Sequence, residues 1–503
     1  MEEYDASGGI AVGVTSMEGR YVSSSSSTTT TTTTTTTTMQ TSSGASAAAA
    51  TAVASSIMRG PDPDQTRTGS TAGGPGNASA VTRSRHYVRN TGQWPDRPRS
   101  RSPSFTRRTG NGSGPLTSVM TQLRRVVNHE YNDIQTILGI WNTSTNESEV
   151  EKSAIGAAFL VAADPRARDQ MKIVSGLELL VGVMVRHEDN AVVQENCCHM
   201  ISMLAGDDHH AQEKIGNYGG VDAALRAIQT HISVVVVQER ALAALCNLTL
   251  VERNRLLIGN ARGIEIVIHS MQRYLREAAG VQIEGCTLLA NLAFGSHVNK
   301  NAIRECNGIE TILQAMREYT NDAMVQTRAC LALRNISWSS EENRARIGLR
   351  EGVQTLVLAM EAHCNSVTVL EQASTALCNI VLGDEQNQNH FDHCHGLETL
   401  VRAMKLYPED AVIQERAIGL IYNRVLRGGT NLTTFCNAGG VEALVDSVTA
   451  CVWHDGVLEK GTLALRYLLT VEENRVRVFR CGGIEKFVDA LYVVSRRIIG
   501  GAL

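Results

Sequence analysis

The stretch 237–248, VQERALAALCNL, returns in altered form at 281–292 as VQIEGCTLLANL, at 325–336 as VQTRACLALRNI and at 412–423 as VIQERAIGLIYN. Small and apolar residues recur in it at helical spacing, on more than one side, so it reads as a helix packed from both flanks. Upstream of each copy stands a second recurring segment: GLELLVGVM, GVDAALRAI, GIEIVIHSM, GIETILQAM, GVQTLVLAM, GLETLVRAM, GVEALVDSV and GIEKFVDAL. Their first glycines fall at 176, 220, 263, 308, 352, 396, 440 and 483, separated by 44, 43, 45, 44, 44, 44 and 43 residues. A period of this constancy is the mark of a repeat array and takes precedence over any single motif.

Within each unit the apolar residues follow the glycine at +1, +4, +5 and +8, as in Ile309, Ile312, Leu313 and Met316, which is one face of a helix. At +2 stands an acid in seven of eight units, with Gln354 the exception, and an acid in the first turn offsets the positive helix end. The glycine is expected to mark the turn into this helix. A third, short helical piece such as ERNRLLIG or EENRARIG closes the unit. No unit of this size buries its own apolar face, so consecutive units must stack.

Three helices in about 44 residues, with the glycine, the xALxNL pattern and its asparagine at Asn247, Asn291, Asn335, Asn379 and Asn423, resemble the armadillo family over about three quarters of the chain. The subclass that the GIExLxxAM and VQExAxxALxNL patterns look most like is the array of leucine-rich-repeat kinases, without the kinase. The resemblance implies an all-α, right-handed armadillo-type superhelical solenoid. Residues 116–503 are expected to form it, as about seven full units with a degenerate first unit at 133–175 and a truncated last one from Gly483. The long helices are expected to line a concave groove in which the asparagines bond the backbone of an extended partner; the alternative is that each ties down its own helix end. Arg240, Arg334 and Arg416, with Arg328, lie on or near the same helices and would favour acidic partners. The expected groove runs from about Asn247 to Asn423, because the column lapses at Met203 and Tyr467. Arg424 stands where an apolar residue is expected, and Trp338 is expected to pack between units. Import adaptors of this family carry tryptophan four residues before the asparagine, where this chain has Ala243, Thr287, Leu331, Thr375 and Gly419, so recognition of basic localisation signals is not implied. Gln194, Gln238, Gln282, Gln326 and Gln414, nine residues before the asparagine column, are expected to make helix-start contacts.

The first 115 residues differ in kind. They hold seven of nine prolines, an unbroken Ser/Thr run from Ser23 to Thr38, and 11 Arg with no Lys against 7 acids, for a net +4, while the remainder carries −8. Such composition buries too little apolar surface to offset ordering, which predicts a disordered tail over 1–115. Eight arginines between Arg83 and Arg108, around RPRSRSPSF, suit a solvated linker, a phosphorylated segment, or a nucleic-acid or nuclear-transport contact. The last supplies the alternative function and is disfavoured by the acidic body.

All twelve cysteines lie at or after Cys197 inside helical patterns, which predicts free thiols in a reducing compartment. No stretch approaches the ~20 apolar residues of a membrane span, and the chain opens on MEEYDASGG with no leader pattern. Cytoplasmic location is expected, with the nucleus as a second possibility. No GxxxxGK[ST], HRD, DFG, HExxH, GxSxG or CxxC is present, so neither catalysis nor a small-molecule substrate is expected. His390, His393, Cys394 and His395 superficially offer zinc ligands, but Cys306 and Cys481 share the register of Cys394 without histidine neighbours. No metal or other cofactor is expected. The sequence therefore predicts a scaffold that binds other proteins.

Overall fold

The computed structural model describes residues 133–173, 175–206, 208–260, 262–425 and 430–500. The predicted tail 1–115, its Arg-rich segment 83–108 and the boundary at 116 lie outside the described residues. Every described element is a helix, and no strand occurs among the described residues. The recurring unit is a short helix, a medium helix and a long helix, as in His297–Glu305, Gly308–Glu318 and Ala323–Ser337. The region 133–175 contributes the helices Ile134–Thr143, Glu147–Ala163 and Pro165–Ile173, and Gly483–Gly500 is a single helix at the other end.

Packing follows the periodicity. In the unit beginning at Gly308 the residues at +1, +4, +5 and +8 are at most 1% exposed, and the same positions of the other internal units join them in one continuous core. Long helices of successive units pack on one another, and so do the medium helices. Sequence-local capping sets the ends: Asp322 accepts from the Met324 and Val325 amides at 2.9 and 3.1 Å, and Ser296 from Asn299 at 3.2 Å.

The glutamine column joins the medium helix to the long one. Gln326 Nε2 donates to the carbonyls of Met316 and Tyr319 at 2.7 and 2.9 Å, and Gln238 and Gln414 repeat the pair of bonds on Ile228 and His231 and on Met404 and Tyr407. The last carbonyls of a helix lack intrahelical partners, and a buried glutamine at the next helix start satisfies them. A second asparagine column, which sequence reading missed, does the same for the long helix. Asn254, Asn299, Asn343 and Asn387, on the short helices, donate to Leu248, Leu292, Ile336 and Ile380 at 2.9 to 3.1 Å. Their signal was the fixed Asn in ERNR, HVNK, EENR and EQNQ.

The junction glycine differs from expectation. The left-handed residue is the one before it: Gly219, Arg262, Asn307, Glu351, His395, Gly439 and Gly482 all have positive φ. The glycine itself begins the medium helix and is required by close approach. A Cβ on Gly263 would lie 2.5 Å from the Ile258 carbonyl oxygen.

Lys300 is 3% exposed and donates to the Trp338 carbonyl in the next unit. Burial pulls its pKa down to about 8 from the ordinary 10.5. The unfolded chain then binds the proton more readily between about pH 8 and 10.5, so stability is penalised below this window and rises as pH climbs through it. The buried thiols, whose pKa burial raises, lose stability over the same window in both chains, so the Lys300 contribution is read as a difference: from pH 7.5 to pH 10 the urea midpoint of Lys300→Met should fall more steeply than that of the unaltered chain. An unchanged pH slope in the variant would assign the effect to other groups.

Candidate functional site

The predicted asparagines lie one per unit on the long helices. Asn247 is fully buried and donates to the Ser202 carbonyl at 2.7 Å, while Asn291, Asn335, Asn379 and Asn423 are half-buried. Asn291 donates to the Cys246 carbonyl at 3.3 Å and to Thr249 Oγ1 at 2.9 Å, Asn335 to the Ala290 carbonyl at 2.9 Å, and Asn379 to the Arg334 carbonyl at 3.0 Å. Each of these bonds spans the gap to the long helix one unit earlier. The own-helix alternative holds at Asn423 alone, whose amide turns back to Gly419 at 2.8 Å. The amide oxygens of Asn335 and Asn379 accept no hydrogen bond among the described residues.

Arg240, Arg328 and Arg416 occupy one register position in alternate units, seven residues before the asparagine, and all three are half-buried. Arg334, also half-buried, donates from Nη1 to Gln372 Oε1 on the next long helix at 3.0 Å. Burial disfavours the charge of Arg334, Arg416 adds to that, and Glu371 opposes both. Burial likewise works against Arg328, with Glu284 opposing. Burial and then the charge of Arg240 lower the pKa of His199 to about 4, leaving it neutral with an Nδ1 that has no partner among the described residues. Met324, Leu331 and Trp338 form an apolar stripe on one helix and its cap. Trp338 is 61% exposed and does not pack between units as expected, since the backbone turns extended at its position and carries it past the helix end.

Arg424 is 6% exposed, and its guanidinium grips Asp392 from the preceding short helix, with a further bond from Nη1 to Gln388 Oε1 at 2.6 Å. An apolar position has been replaced by a buried, bidentate ion pair between units. The histidine-rich segment does not converge. His393 Nδ1 bonds the Asn389 carbonyl at 2.6 Å, His395 Nδ1 bonds Glu398 at 3.2 Å, and the Cys394 thiol donates to the Phe391 carbonyl, its pKa pushed up to about 11 by burial. Among the described residues no three His, Cys, Asp or Glu side chains gather as metal ligands. The twelve cysteines are free thiols, and no helix among the described residues is long and apolar enough to cross a membrane.

Comparison with known proteins adds the following. Residues 281–359 match the model described as the spinocerebellar ataxia type 10 protein domain. "Protein aardvark" of Dictyostelium discoideum is 28% identical over 130 residues, a match covering 23% of this chain and 17% of that protein. Among solved structures, an engineered protein superposes with a TM-score of 0.58 at 23% identity, over 75% of this chain and 92% of that one. A structure concerned with a phosphorylation switch in the interaction between cadherin and beta-catenin gives 0.55 at 18% identity, over 72% and 66%. These likenesses show the fold, an armadillo-like helical solenoid.

Proposed function

We propose that the long-helix face binds an extended or helical segment of another protein, and that the chain works as a non-catalytic scaffold. The observation that carries this reading is the state of Asn335 and Asn379. One amide N–H of each donates to the neighbouring long helix, which orients the side chain, while its half-buried oxygen has no partner among the described residues. Repetition along the face supplies one oriented acceptor per unit for the N–H groups of an extended backbone, as in strand-like recognition of main chain. The same fold is shared with a structure whose subject is the interaction of cadherin with beta-catenin. The subclass likeness to the array of leucine-rich-repeat kinases belongs to this proposal, as does action in the cytoplasm on protein partners.

The test is the joint change of Asn291, Asn335 and Asn379 to alanine. Each staple between units is worth on the order of 0.5–1.5 kcal/mol, so a stability loss of about 2–4 kcal/mol is expected. Peptides selected on the unaltered chain should in addition bind the folded variant at least tenfold more weakly, with folding verified by circular dichroism at the binding temperature. A fall in stability with undiminished affinity would reduce the column to a purely structural role and end the groove reading.

A further inference from the structure

The geometry points to an anion-binding step in the long-helix face between Arg334 and Arg416, which receives a carboxylate or phosphoryl group carried by the partner segment. This deepens the groove reading and rests on it. Arg416 is half-buried, its Nε is shielded from solvent, and its guanidinium makes no hydrogen bond or ion pair among the described residues. A shielded guanidinium N–H without an acceptor is costly, and an arriving anion would supply one. Among the described residues the Arg334 guanidinium has one hydrogen-bond partner, the neutral Gln372.

The acids that could neutralise the pair are otherwise engaged or insufficient. Glu415, on which Arg416 also acts, receives Lys460 at 2.9 Å, and Glu371 opposes burial and Arg416 at Arg334. Arg334 and Arg416 therefore act on one another as like charges from helices two units apart, on either side of Val367–Val381. The helix beside them leaves space: a Cβ on Gly419, one turn beyond Arg416, would meet nothing within 4 Å among the described residues. This is also the step at which the column departs from its pattern, because Asn423 bonds its own helix instead of the preceding unit. A planar guanidinium fork suits both carboxylate and phosphoryl oxygens, and two forks favour the group with more acceptors.

The experiment selects fluorescent decapeptides from a random library on the full chain and resynthesises each with its Asp or Glu replaced by Gln and by phosphoserine. Selected peptides should carry an acid. The Gln versions should bind about tenfold more weakly, and the Arg334→Gln/Arg416→Gln chain should bind the acidic and Gln versions alike. Comparison of the glutamate and phosphoserine versions reports which anion is preferred. Enrichment of neutral or basic peptides, or an acid preference that survives in the double variant, would overturn the anion step. Affinity that is indifferent to the triple asparagine variant would instead overturn the groove, and a library yielding no binder would overturn both.

Discussion

Replacing Asp392 with alanine is expected to destabilise the chain by about 3–5 kcal/mol, the cost of leaving a buried charge without its partner. The side chain of Arg424 is 7% exposed and that of Asp392 21%, so water cannot readily take over. Asp392 accepts from the guanidinium at Nε and Nη2 and also from Asn431 Nδ2 at 3.2 Å, so one truncation strips three bonds from a site joining successive units. The charge is the cause, not the contact. A second variant, Asp392→Leu with Arg424→Met, should therefore recover most of the loss, since apolar replacement of a buried pair is often neutral. Urea unfolding of the three chains decides the matter. A loss under 1 kcal/mol for Asp392→Ala would place the pair with ordinary surface ion pairs. Because stability in a stacked array is roughly a sum of unit and interface terms, hydrogen exchange should show the loss concentrated around residues 385–435.

The second large effect is expected at Gly263, where alanine should cost about 3 kcal/mol, at the upper end of overpacking penalties. Its Cβ would lie 2.5 Å from the Ile258 carbonyl oxygen and 2.6 Å from Ile258 Cγ2, and the first contact is with backbone that cannot step aside without moving the junction of two helices. The preceding residue should respond in the opposite sense. Arg262 sits at φ 56° in the left-handed region, so Arg262→Gly should stabilise by about 1 kcal/mol, less the small contribution of its exposed ion pair with Glu265. Thermal melts of the two single variants give the comparison. Equal effects of the same sign would mean that the glycine serves backbone conformation and not close approach.

Much of the fold was legible because helical periodicity is a local property. The +1, +4, +5 and +8 residues, the acid at +2 and the glycine spacing state which face of each helix is buried, and only stacking can bury such faces in units of this size. The glutamine column was legible as a helix-start contact, since its partners lie only 7 to 10 residues away. Free cysteines in apolar register followed from the same periodicity.

What the tertiary structure decided are the directions of polar side chains between units. Whether the amide of Asn335 turns to solvent or to the Ala290 carbonyl depends on how closely adjacent long helices approach, and that distance is set by the packing of residues 45 positions apart. Arg424 looked like a misfit because its partner lies 32 residues upstream on another helix. The left-handed residue before the glycine was invisible because Gly, Arg, Asn, Glu and His all occupy it, the conformation being imposed by the two helices it joins. Trp338 and Arg416, unpaired among the described residues, likewise acquire meaning only from what surrounds them. Periodicity along one helix specifies what it hides, whereas the rise and turn from each unit to the next, a property of the whole stack, specify what it offers to a partner.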